Sequence, residues 1–155
     1  MATTATNKQP LLVDRVLHYV IDLNSSVVAG IDVGGTNTAE LIVDATSSDG
    51  AIIEDIYSIA RSTEEATINL YISPASDYLR PGDGMFIGQF KSGTVVGTAT
   101  SWDNMPKVLV PVPGTGDEGQ FRALYLPRGN ALWAARQSSE FLTDGPLLGC
   151  QGGWY

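Results

Sequence analysis

The chain has 155 residues, enough for one domain whose core needs no disulfide or metal. Charged residues make up only 17% of it, below the ~25% of an average soluble domain, and the net charge is −8. That acidity argues against nucleic acid and anionic membranes as partners, since both need a basic face.

One cysteine, Cys150, excludes an intrachain disulfide. With His18 as the only histidine, the familiar Cys/His zinc sites are excluded too. Cys150 reads as a small buried apolar residue. No apolar run approaches the ~20 residues of a membrane span.

Residues 1–12 are expected to form an N-terminal arm and residues 13–155 the domain. Met1 to Pro10 is small, polar and unpatterned, and Pro10 favours an extended chain. The arm reads equally as a disordered terminus or as a strap on a neighbouring subunit. MATTATNKQP lacks the apolar core of a signal peptide, so assembly in the cytoplasm is expected.

Val13 to Leu23 places Val13, Leu17, Tyr19, Ile21 and Leu23 on alternate positions, which predicts a half-buried strand. Val16, Val20 and Leu23 also fit a helical repeat, but the alternation is the stronger pattern. His18 falls on the polar face without a nearby acid, and no catalytic role follows from it. Asn24 to Ser26 is a turn and Val27 to Asp32 a short strand. Gly34-Gly35 makes a tight reversal, and Ala39 to Asp44 is the return strand. After a turn at Ser47 to Gly50, Ala51 to Arg61 alternates Ile53, Asp55, Tyr57 and Ile59 against Ile52, Glu54, Ile56 and Ser58.

Ala66 to Ser73 is the next strand. Pro74 to Gly84 is a long loop carrying Tyr78, Leu79, Arg80 and Asp83. Met85 to Phe90 and Thr94 to Thr100 are expected to form a hairpin across Lys91 to Gly93. Lys107 to Val112 is a strand, and Gly114 to Gly119 a polar tip. Phe121 to Leu126 and Ala131 to Gln137 are expected to form a hairpin across Pro127 to Asn130. Leu147 to Gln151 is the last strand. Ala131 to Leu142 is the best alternative candidate for a helix. About ten short strands with turns between them predict an all-β fold: an antiparallel, jelly-roll-like sandwich.

The sharpest motif is Asp32-Val33-Gly34-Gly35-Thr36. It is similar to the first phosphate loop of sugar kinases of the actin-like ATPase superfamily. That resemblance implies that Asp32, Gly34, Gly35 and Thr36 hold ATP and Mg2+, with Gly114-Thr115-Gly116 as a second loop. The rest of the chain argues against it. Those kinases close two domains on the nucleotide, and each alone approaches this chain in length. Their catalytic Asn-Asp context appears here only reversed, as Asp103-Asn104 before Pro106.

No Gly-x-Ser-x-Gly elbow is present. The acids at Asp44, Asp49, Asp77, Asp83, Asp117 and Glu118 stand at turns, where side chain–backbone bonding accounts for them. A glycosidase-like carboxylate pair stays open. No catalytic residue, cofactor or metal is expected. Trp133 alternates with core positions and is expected to be buried. Trp154-Tyr155 suits packing on the protein's own sheet or a subunit contact.

A second resemblance runs through ATINLYIS (66–73), Arg80-Pro81, Ile87-Gly88, MPKVLVPVP (105–113), ALYLPRGNAL (123–132) and Gln151-Gly152-Gly153. In this order the segments resemble small β-sandwich virion proteins of tailed bacteriophages. The resemblance implies assembly without catalysis, in a virion put together in the host cytoplasm. Its preferred form is a capsid decoration, or cement, protein; a tail, neck or baseplate subunit is the alternative. It implies major capsid protein or other virion proteins as partners, and self-association, typically as a trimer. The contact residues expected are Pro10, Leu11 and Leu12 in the arm, Tyr78 and Arg80 in the loop, and Trp154 and Tyr155 at the end. A carbohydrate-binding sandwich, which requires an exposed aromatic platform, is a third class. Calorimetry with ATP and Mg2+ is expected to register no heat; binding that Asp32→Ala abolishes would restore the kinase reading.

Overall fold

A computed structural model describes residues 15–23, 27–28, 39–74, 85–106, 108–110, 121–137 and 144–154. These residues form two packed β-sheets and no helix. The all-β sandwich expected from the strand pattern is therefore the fold.

The first sheet is built on β4 (Gly50–Ile59) and β11 (Leu147–Trp154), which pair antiparallel along nearly their whole lengths. β1 (Arg15–Asp22) pairs with the other side of β11. β4 meets β9 (Phe121–Pro127) at its start and β7 (Ala99–Ser101) at its end. β8 (Val108–Val110) extends the sheet beyond β9. The second sheet centres on β10 (Ala131–Gln137) and β5 (Thr67–Ser73), with β6 (Met85–Lys91) outside β5. β3 (Glu40–Asp44) and the two-residue β2 (Val27–Val28) lie on the far side of β10, antiparallel and parallel to it respectively.

β1 is a strand, as its alternation predicts: Leu17 and Leu23 are buried, while Val16, His18 and Val20 face out. Three expected pairings differ. β2 and β3 run in opposite directions, but both pair with β10 and not, among the described residues, with each other; the reversal expected at Gly34-Gly35 lies outside the described residues. β6 and β7 belong to different sheets, so Lys91 to Gly93 begins a crossing rather than a hairpin. β9 and β10 are likewise split, and Pro127 to Asn130 is an arch between sheets. The local signal gave the turns; which sheet each strand joins is decided by distant partners.

The alternation expected along β4 breaks at a bulge. Gly152 pairs with Ile53 and Gln151 with Asp55, leaving Glu54 as the extra residue. The inward face therefore shifts from Ala51 and Ile53 to Ile56. The same device recurs in β6, where the shifted register lets Ile87 pack on the main core while Phe86 faces the opposite side.

The main core lies between the sheets, with Ile53, Ile56, Leu124 and Leu148 from the first and Ile68, Leu70, Phe90 and Leu132 from the second. Each such side chain contributes ~1.5–3 kcal/mol on burial. Trp102, just after β7, stacks on Phe90 of the other sheet at 5.9 Å and ties the two layers. A second cluster, Tyr71, Ala131, Trp133 and Ala135 with Phe86 and Leu41, lies on the opposite face of the second sheet. Tyr71 meets Phe86 edge-on at 5.8 Å. The centre of that sheet is thus buried on both faces, which is why β5 and β10 are buried almost without interruption. Trp133 is buried as expected, but in this second cluster.

Gly152 sits where β4 bulges. A Cβ there would collide with the Ile52 carbonyl, which is backbone and held in the ladder. Gly152→Ala is expected to destabilise the protein by about 2 kcal/mol, read as a lowered urea midpoint.

Candidate functional site

Among the described residues, β1 and β11 approach β3 and the turn that follows it. A cleft of about 490 Å³ sits there. Its apolar walls are Tyr19 of β1, Leu41 and Ile42 of β3, and Trp154 of β11. Its polar rim is Asp44, Ser47, Ser48 and Asp49.

The local sequence explains this layout. Tyr19 lies on the same face of β1 as Leu17 and Ile21, and its partner on β11 is Cys150. At the sheet edge that inward face loses cover, so Tyr19 is 58% exposed despite its inward parity. Trp154 occupies the last position of β11, packs against the main core and leaves part of its ring in the cleft. The turn is held by Asp44, whose Oδ1 accepts from the Thr46 amide at 2.9 Å and from the Thr46 hydroxyl. Asp49 Oδ1 accepts from Arg128 Nη1 at 3.3 Å, between two exposed side chains. Ser48 Oγ accepts from the Gly50 amide at 3.4 Å.

Of the contact residues expected from sequence, Trp154 alone is described, half-buried at the cleft. Pro10, Leu11, Leu12, Tyr78, Arg80 and Tyr155 lie outside the described residues, as do Asp32, Gly34, Gly35 and Thr36 of the phosphate-loop motif. Asp44 makes the turn bond expected of it. Tyr19, Ser47, Ser48 and Asp49 were not legible as one site. Their only sequence signal is an aromatic on an edge strand and an acidic Ser-rich turn.

Other chemically capable side chains are scattered. His18 is on the solvent face, its Nε2 3.1 Å from the Tyr57 hydroxyl. Asp55 accepts from the Ser101 hydroxyl at 3.1 Å on that same face. No group of three or more His, Cys, Asp or Glu able to hold a metal is found among the described residues. No family model matches the chain, and no characterised protein or solved structure matches it significantly.

Cys150 is fully buried. Burial, aided by the nearby negative charge of Asp55, pushes its thiol up to about 12 from an ordinary 9.0. A thiol so held is protonated at neutral pH and is not a nucleophile. The unfolded chain ionises first as pH rises. The thiol's contribution to stability is thus whole below pH 9.0 and is lost between there and about 12. Within that window stability is expected to fall as pH rises on its account. Cys150→Ala is expected to flatten the fall in alkaline thermal melts, and native protein is expected to resist a disulfide reagent that labels it once unfolded.

Proposed function

We propose that this chain is a non-enzymatic structural subunit of a virion, a decoration or cement protein that binds the outer shell of a tailed-phage capsid and stabilises its subunits. Self-association, as a trimer, belongs to the same reading. The observation that carries it is the exposed apolar face at the β1 edge. Val16 is 82% exposed and Val20 46%. Register places Val16 in one lateral row with Gly153, Ile52 and Tyr125 across four strands, and Tyr125 is also exposed. Within that row Ile52 is only 1% exposed and Gly153 is buried. The apolar surface open to water is therefore Val16 and Val20 at the β1 edge and Tyr125 at the far end. Exposed apolar side chains of this kind are what a protein contact covers.

The strand itself adds to this. Among the described residues β1 pairs only with β11, so its other side presents eight residues of edge backbone. A partner strand placed there gains main-chain hydrogen bonds and covers Val16 and Val20 together. Many copies on a particle make a weak contact of this kind effective through avidity. The low share of charged residues and the negative net charge fit a subunit that meets protein rather than nucleic acid.

Light scattering coupled to size-exclusion chromatography is expected to show a species larger than the monomer. Val16→Asp with Val20→Asp is expected to shift it to monomer while the β-sheet signal in far-UV circular dichroism is kept, because both side chains face water in the single chain. A clean monomer at every concentration, together with failure to co-sediment with capsids, would count against the proposal.

A further inference from the structure

We propose that the cleft between β1, β11 and the turn after β3 binds a neutral saccharide, a mono- or disaccharide in size. This goes beyond the assembly reading and does not depend on it.

Three features of the cleft lead there. Its volume, about 490 Å³, lies in the range of small-ligand sites, ~300–1,000 Å³. Two aromatic side chains, Tyr19 and Trp154, line it, one largely open to solvent and the other half-buried. An aromatic face offers flat apolar surface to the C–H face of a pyranose ring. The rest of the lining supplies hydroxyls and carboxylates, from Ser47, Ser48, Asp44 and Asp49. Hydroxyls both donate and accept, and carboxylates accept from adjacent sugar hydroxyls. A sugar, with one apolar face and a rim of hydroxyls, matches both halves.

A cationic ligand is the competing occupant, since aromatics and acids also suit an ammonium group. The rim disfavours it. Asp49 already meets the Arg128 guanidinium, and Asp44 Oδ1 is occupied by two donors from Thr46. Those contacts take up part of each carboxylate's accepting capacity without removing its charge, and a cation would leave the donor capacity of the serine hydroxyls unused. An anionic sugar is disfavoured by the same two carboxylates.

The test uses the full chain, isotopically labelled for NMR, titrated with a panel of neutral disaccharides: cellobiose, maltose, lactose and chitobiose. Tetramethylammonium and lysine amide form the cation arm. At least one disaccharide is expected to shift the Ser47, Ser48, Asp49 and Gly50 amides and to alter tryptophan emission, with a Kd of about 1 mM or tighter. Tyr19→Ala is expected to weaken binding at least tenfold, whereas Val95→Ala, at an exposed site outside the cleft, leaves it unchanged. Asp49→Asn, on an exposed side chain, serves as a second variant and is expected to weaken binding as well. Silence across the saccharide panel at tens of millimolar, preference for the cations, or binding indifferent to both cleft variants would each overturn the proposal. None of these results bears on self-association, which is read by light scattering.

Discussion

The pairing of β11 between β1 and β4 is the constraint on which the first sheet depends. β1 has no other partner among the described residues, and β4 has β11 along one whole side. A strand near the chain's end thus closes the ladder for one near its beginning. Its glycines make this possible. At Gly152 only hydrogen fits against the Ile52 carbonyl, and at Gly149 only hydrogen leaves room for the Tyr57 ring. Tyr57 in turn lies across β11 to reach His18 on β1. The outer face is therefore stitched over the glycines, while Leu148 and Cys150 fill the inner one.

The bulge at Glu54 follows from the same pairing. Ladder register alone would send Ile56 outward once Ile53 points in. The extra residue returns Ile56 to the core and leaves Asp55 and Tyr57 on the solvent side. A bulge also increases local twist. On the opposite layer, β5 and β10 solve a different problem, because both faces of the second sheet are covered. Thr67, Asn69 and Ser73 are buried polar residues on the face that also holds Tyr71. Burial raises the pKa of the Tyr71 hydroxyl above its ordinary value and so opposes its ionisation, a shift that a hydrogen bond with Asn69 partly offsets.

The fold class was legible because it rests on local physics: period-two patterning in β1, β-branched runs in β5, and turn residues at Ser47 to Gly50 and Pro127 to Asn130. Pairing was not legible. A Gly- or Pro-rich turn reverses the chain equally well within one sheet or between two. The turn at Pro127 to Asn130 is held by Ala45, whose amide donates to the Asn130 carbonyl and whose carbonyl accepts from Gly129. Those bonds span some eighty residues, and no window of sequence contains them. The bulges were hidden for a similar reason, since Ile52, Ile53 and Ile56 are the same residue type and do not reveal which two share a face. The cleft joins residues 19, 44–49 and 154, so its chemistry was visible only as separate fragments.

β1 brings the two proposed activities together without setting them against each other. Successive side chains of a strand point to opposite faces. Val16 and Val20 take the outer face, on which Tyr125 is also exposed, and Tyr19 takes the inner face, where it lines the cleft together with Trp154. Acidic substitution of the two valines alters the outer surface, and truncation of Tyr19 alters the cleft, with two different readouts. The shared element is the backbone edge. A strand added beside β1 would pair with the backbone that carries Tyr19, a wall of the cleft, so saccharide affinity in the assembled state is expected to differ from that of the monomer. The sign of that difference reports how close a partner strand comes to Tyr19: tighter binding where it adds a wall, weaker binding where it covers the mouth.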